Sequence, residues 1–195
     1  MSGIRLNNRT ISHDHPCFII AEAGVNHNGD MDLARKLIDV AVDSGADAVK
    51  FQTFISDEIV LHNAPKAQYH IDTTGCDTEQ TWYELLRSQE LNREQHIELI
   101  KYCKSKGIIF LSTPYDWPSV DLLDELNVPL FKVASTDANN LPLLRHMAKK
   151  GRPMILSTAM SNLSEIKDSI ALIRAEGVED LVVLKCPGSY TNPTN

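Results

Sequence analysis

The chain has 195 residues, 43% of them hydrophobic and 23% charged, with 9 Gly and 9 Pro, proportions that exclude a disordered, collagen-like or low-complexity chain and fit about one domain. Nineteen basic against 26 acidic residues leave a net charge of −7, which argues against a broad nucleic-acid-binding face but allows a local basic pocket for a small anion. No apolar run approaches the ~20 residues that span a bilayer. Cys17, Cys76, Cys103 and Cys186 form no Cys-x-x-Cys pair, and Met1–Arg5 leads into polar Asn7-Asn8-Arg9 rather than a signal core. A reduced, cytoplasmic protein with neither a disulfide framework nor a structural zinc is expected, with no nucleic-acid or membrane partner.

In chain order, the first run of β-formers is Cys17–Ala21, ending at Glu22-Ala23-Gly24-Val25-Asn26-His27-Asn28-Gly29. Asp30 then caps an apolar stripe at helical spacing, Leu33, Ala34, Leu37, Ile38 and Ala41, stopped by Gly45. Ala48–Gln52 is the second strand, followed by a long connection from Thr53 to about Leu91. Asn92 with Gln95 gives a capping-box start to a helix stopped by Gly107. Ile108–Leu111, Leu130–Val133, Met154–Leu156 and Leu181–Leu184 are the remaining strands. Helices are expected from Asp116 to Leu126, from Asn139 to Lys150, and from Ser161 or Asn162 to Gly177. The pattern is about six strands and five helices in alternation, which means a parallel sheet covered by helices.

A doubly wound sheet and a (β/α)8 barrel both fit that alternation, but no dinucleotide fingerprint follows the first strand and no P-loop occurs. Polar residues instead stand at the C-terminal end of every strand, where barrel active sites are assembled. The expected class is therefore α/β of the (β/α)8 TIM-barrel type, incomplete here because a whole barrel takes ~250 residues.

Lys50 and Gln52 are two apart on the second strand and share a face, and Lys132 lies inside the apolar fourth strand. A buried lysine is costly without an anion. With Thr113, Ser135 and Ser157 at neighbouring strand ends, the two lysines form a candidate cradle for a phosphate or carboxylate. Each lysine alone fits equally well a pairing with a core carboxylate or a strand-end position with its head in solvent. Glu22 is a candidate base, or a residue orienting a sugar hydroxyl, the alternative being a salt bridge to a lysine. His13 and His15 have two-ligand spacing but no third partner and read as loop. His96 and His146 fall in helices and are expected at the surface or rim, whereas His27, in the first strand-end loop, is a candidate substrate contact.

Six ordered blocks carry a resemblance. They are Ala21–Gly29, Val49-Lys50-Phe51-Gln52-Thr53, Leu111-Ser112-Thr113-Pro114, Phe131-Lys132-Val133-Ala134-Ser135, Asn139–Leu144 and Ile155–Met160. From about residue 4 onward the chain resembles the sialic acid synthase family, which includes N-acetylneuraminate and legionaminic acid synthases. The resemblance implies condensation of phosphoenolpyruvate with an N-acylated mannosamine-type sugar to a nonulosonic acid, with release of phosphate. It implies that carbon 3 of phosphoenolpyruvate attacks an open-chain aldehyde polarised by a divalent metal, Mn or Mg. By position it assigns Lys50, Thr113, Lys132, Ser135 and Ser157 to phosphoenolpyruvate, Gln52, Asp137 and Tyr190 to the sugar, and Glu22 to proton handling at the sugar site.

Three departures from the family pattern stand out: Asp137 where Glu is usual, Ala159 where Gly precedes Met160, and Lys185-Cys186-Pro187-Gly188-Ser189-Tyr190-Thr191 where a His-Cys-Thr block is usual. The resemblance also implies two metal-binding histidines on later strands, an antifreeze-like C-terminal domain and a homodimer. Residues 1–195 are thus expected to be the N-terminal part of a phosphoenolpyruvate-binding barrel domain, with no metal ligands of their own. Two alternatives remain: a non-catalytic remnant or binding module, and a Schiff-base aldolase with Lys132 as nucleophile. The connection from Thr53 to Leu91, with Tyr69, His70, Trp82 and Tyr83, is expected to cover the sugar or to serve as a simple lid or dimer contact.

Overall fold

Residues 3–6, 9–66 and 80–187 are described by the structure, a computed structural model. Tyr190, Gly188, Tyr69, His70 and Cys76 lie outside them. Two short strands, β1 (Ile4–Leu6) and β2 (Arg9–Ile11), pair antiparallel with Ile4 opposite Ile11. The strand–helix alternation then runs β3 (Ile20–Gly24), α1 (Met31–Asp43), β4 (Ala48–Thr53), α2 (Ser56–Ile59), α3 (Trp82–Gln89), α4 (Arg93–Lys106), β5 (Ile109–Pro114) and α5 (Trp117–Glu125). It continues with β6 (Phe131–Val133), a 3-10 turn at Ser135–Asp137, α6 (Leu141–Ala148), β7 (Met154–Ser157), α7 (Leu163–Ala175) and β8 (Leu181–Leu184).

β3, β4 and β5 form one parallel triplet and β6, β7 and β8 another, with β5 lying beside β6. This is the expected TIM-barrel-type α/β fold, part of a barrel wall. The alternation of side chains along each strand separates two cores. Val49, Phe51, Phe110, Phe131, Val133, Met154 and Leu156 face outward and pack under the helices, against Ile38, Leu99, Leu123, Leu144 and Ile173. Ala48, Ile109, Leu111, Leu130 and Ile155 face inward, and the β1–β2 pair inserts Ile4 and Leu6 beneath them.

The five expected helices are present with the expected chemistry at their ends. Asp30, Asn92, Asp116, Asn140 and Asn162 each accept backbone N–H bonds at a helix start, and Gly107 closes α4 at φ 74°. Three features differ from expectation. The β1–β2 pair was not anticipated, and neither were α2 and α3 within the long connection. The first barrel strand starts at Ile20 rather than Cys17, because the Ile19 N–H donates to the Asp47 carboxylate at 2.7 Å. Glu22 therefore lies within the strand, directly opposite Lys50 on β4.

Candidate active site at the strand ends

The same alternation that turns Ala48, Leu111 and Ile155 inward also turns Lys50, Gln52, Thr113, Lys132 and Ser157 inward, one or two rungs closer to the C-terminal strand ends. Register brings them level: Glu22 opposes Lys50, and Gln52 opposes Thr113. An apolar floor thus carries a polar mouth.

Lys50 is 9% exposed; it forms an ion pair with Glu22 and donates to the Thr113 hydroxyl at 3.4 Å. Both alternatives weighed for Glu22 and Lys50 meet in this pair, since the carboxylate salt-bridges the lysine and still stands 42% exposed at the mouth. Lys132 differs. It is 7% exposed and donates to the Ser157 hydroxyl at 2.6 Å and the Val133 carbonyl at 2.7 Å, and no carboxylate of the described residues pairs with it. Burial, and then the charge of Lys50, lower its pKa to about 8 against the pull of Cys186 and Glu22. The two lysines outnumber the single carboxylate paired with them, inside a chain of net charge −7.

Ser135 and Asp137 sit in the 3-10 turn after β6. The Ser135 hydroxyl accepts the Ala159 N–H at 3.1 Å, which joins the β6 and β7 ends. Burial raises the pKa of Asp137, against bonds from Asn140 at 3.1 Å and Thr136 at 3.3 Å. At the other side of the mouth, Gly24 (φ 55°) leaves room for Glu22 and Gln52: a Cβ there would stand 3.3 Å from Glu22 Oε1 and 3.7 Å from Gln52 Nε2.

One cradle residue escaped the residue-type reading. Cys186 lies beyond β8, half-buried beside the Lys132 group. Burial opposes its ionisation, but bonds with Ser157 and the Thr158 backbone, the Lys132 charge and Ser135 bring its thiol below the usual range. The same inward alternation along β8 that places Leu184 would have found it.

The histidines require correction. His27 does not reach the mouth: it is fully buried, its Nδ1 accepts the Gly29 N–H at 3.0 Å, and its ring lies 6.0 Å from Phe51 on the helix side of the wall. Its Nε2 has no hydrogen-bond partner among the described residues, and burial followed by the nearby His96 lowers its pKa to about 4. His96 is likewise buried rather than at the surface, bonded to the Thr53 hydroxyl at 2.8 Å, which in turn bonds Ser112 at 2.7 Å. His146 lies near the surface, stacked on Trp117 and bonded to Asp121.

The long connection has a braced stem. The Trp82 N–H donates to the Ala64 carbonyl at 3.0 Å, Lys66 donates to Gln80 at 2.9 Å, and Tyr83 donates to Asp57 at 2.9 Å while stacking on His62. Tyr83 therefore serves the stem. Gly29 approaches the Ser88 carbonyl so closely that no Cβ fits, and Gln89 bonds Asn28 at 3.3 Å, so the stem rests on the loop that follows Glu22.

Among the described residues no group of three or more His, Cys, Asp or Glu side chains is placed to hold a metal ion. The divalent metal implied by the resemblance has no fitting donor set there. No helix of the described residues is long and apolar enough to cross a membrane, and Cys17, Cys103 and Cys186 are free thiols.

Comparison with known proteins gives the family and the fold. The profile of the NeuB family matches residues 37–195. The chain is 45% identical over 179 residues to an N,N'-diacetyllegionaminic acid synthase of Campylobacter jejuni, covering 91% of this chain and 53% of that one. It is 38% identical over 182 residues to a human N-acetylneuraminate-9-phosphate synthase, covering 93% and 50%. The crystal structure of an N-acetylneuraminic acid synthetase from Leptospira borgpetersenii in complex with citrate superposes with a TM-score of 0.82 at 33% identity, covering 98% of this chain and 62% of that one. The chain spans about half the length of the curated relatives it matches.

Proposed function

The chain belongs to the NeuB family, and on that premise we propose that it is the phosphoenolpyruvate-binding part of a synthase that joins phosphoenolpyruvate to an N-acylated mannosamine-type sugar, releasing phosphate. Residues 1–195 are read as the N-terminal part of the barrel domain of such an enzyme. The observation that carries the reading is Lys132: an ammonium group buried among neutral partners and beside a second lysine is stabilised by a bound anion and by little else.

In this reading the carboxylate and phosphate of phosphoenolpyruvate are held by Lys50 and Lys132 with the hydroxyls of Thr113, Ser135 and Ser157. Their placement in a buried, preorganised cradle favours the charge that develops as phosphate departs. Glu22, paired with Lys50 and exposed at the mouth, handles a proton at the sugar side, and Gln52, Asp137 and Tyr190 orient the sugar. The divalent metal that the family resemblance implies would supply polarisation of the acceptor aldehyde; no described residue is assigned to hold it. The relatives' names support a sialic- or legionaminic-type product, and the resemblance implies a homodimeric assembly.

The test supplies the purified chain with a polypeptide covering the second half of a relative, together with phosphoenolpyruvate, an N-acylated hexosamine and a divalent metal. Phosphate released in step with a 2-keto acid is expected. Its absence with every N-acylated hexosamine tried would sink the synthase reading and leave a remnant in its place.

A further inference from the structure

We propose that the Lys132 amine is a nucleophile that condenses reversibly with the carbonyl of a 2-oxo acid held in the strand-end cradle, forming an imine on the chain. The inference rests on reading the cradle as an anion site, and it adds a covalent chemistry that phosphoenolpyruvate binding does not require.

The two cradle lysines are not equivalent. Lys50 carries Glu22 as its counter-ion. Among the described residues Lys132 donates to the Ser157 hydroxyl and the Val133 carbonyl, with no carboxylate partner. The charged and titratable groups facing it are Glu22 from β3, Lys50 from β4 and Cys186 beyond β8. Burial and the neighbouring ammonium both favour loss of its proton, and with a pKa of about 8 half of the molecules present a free amine lone pair at that pH. A desolvated lysine next to a second cation is a recognised way of making an amine nucleophilic near neutrality.

A 2-oxo acid suits both halves of the cradle. Its carboxylate matches Lys50 and the Thr113 and Ser135 hydroxyls, and its C2 carbonyl is the electrophile. The lone pair of Nζ forms the new N–C bond while the C=O π electrons move to oxygen. A proton passes from nitrogen to that oxygen, giving a carbinolamine. Loss of the hydroxyl as water then leaves the C=N bond, and hydrolysis reverses each step without any redox partner. The product class of the proposed condensation is itself a 2-keto acid, so the adduct is a route by which product occupies the cradle.

The test incubates the whole chain with pyruvate and sodium borohydride at pH 8, where hydride reduces the C=N bond to a stable secondary amine, and maps the adduct by peptide mass spectrometry. One adduct on Lys132 is expected, at higher yield at pH 8 than at pH 6, and absent from Lys132→Arg. An unlabelled Lys132, or label spread over exposed lysines, overturns the inference, and mapping on the unmodified chain does not depend on how the variant folds. Calorimetry with phosphoenolpyruvate on the same sample separates the two readings. Binding without an adduct removes the nucleophile and keeps the anion site. An adduct that phosphoenolpyruvate does not suppress keeps the nucleophile and removes the phosphoenolpyruvate site.

Discussion

Lys132 costs the fold stability, and in the proposed reading a bound anion offsets that cost. A buried ammonium without a carboxylate destabilises the chain, so Lys132→Met should raise the unfolding free energy by roughly 1–3 kcal/mol at pH 7 while lowering phosphoenolpyruvate affinity by about 10- to 100-fold. The pH dependence has a definite sign. The pKa of Lys132 falls from 10.5 in the unfolded chain to about 8 in the fold, so the unfolded chain binds the extra proton between those values and stability rises with pH across that window. The difference between wild type and Lys132→Met, measured by urea unfolding at pH 7 to 10.5, should shrink as pH rises. His27 works at the acid side. Its pKa is lowered from 6.5 to about 4, so its contribution is fully present above 6.5 and is lost as pH falls toward 4. Urea midpoints of the wild type should decline through that range more steeply than those of His27→Gln. At this scale the sequence made the lysines and hydroxyls legible through strand parity. It did not reveal on which side of the wall His27 and His96 would lie, because loop and helix residues carry no period-two signal.

Among the elements, the helices with an Asp or Asn cap and a closing Gly were readable because their ends are local chemistry. Helix α3 carries the same kind of signal: Thr81 and Glu84 form a reciprocal capping box, but the helix is only eight residues long and lies inside a connection read as loop. Strands β1 and β2 are three residues each, too short for an alternation to register, and their apolar faces matter only because the barrel floor lies above them. The stem formed by α2 and α3 bears on the site through Gly29. At φ 76°, against the Ser88 carbonyl, this residue tolerates no side chain, and Gly29→Ala should cost about 1–3 kcal/mol and loosen the stem. Thr81→Ala should cost about 1 kcal/mol by removing the cap. Hydrogen exchange at residues 80–90 should rise in both variants, while the amides of β4 and β5 keep their protection.

Across the whole molecule, the wall is two parallel triplets, and β3 and β8 each have one hydrogen-bonded neighbour among the described residues. Ile19 and Val183, beside and within those edges, are 50% and 41% exposed. Between the same strands, a cavity of about 210 Å³ is lined by Ile11, Phe18, Ile20, Ile155, Val182 and Leu184. Exposed edges with apolar side chains are templates for association. The isolated chain should therefore self-associate with concentration in sedimentation experiments, and Ile19→Lys with Val183→Lys should weaken that association. The alternation along β4 to β7 gathers Lys50, Thr113, Lys132 and Ser157 on one face, and we propose that this face binds phosphoenolpyruvate. Titration calorimetry of the chain with phosphoenolpyruvate at pH 7, beside Lys132→Met, tests that claim most directly. One saturable site is expected in the wild type, weakened at least about tenfold in a variant that is folded and more stable. No saturable heat in the wild type, or equal affinity in the variant, would contradict it.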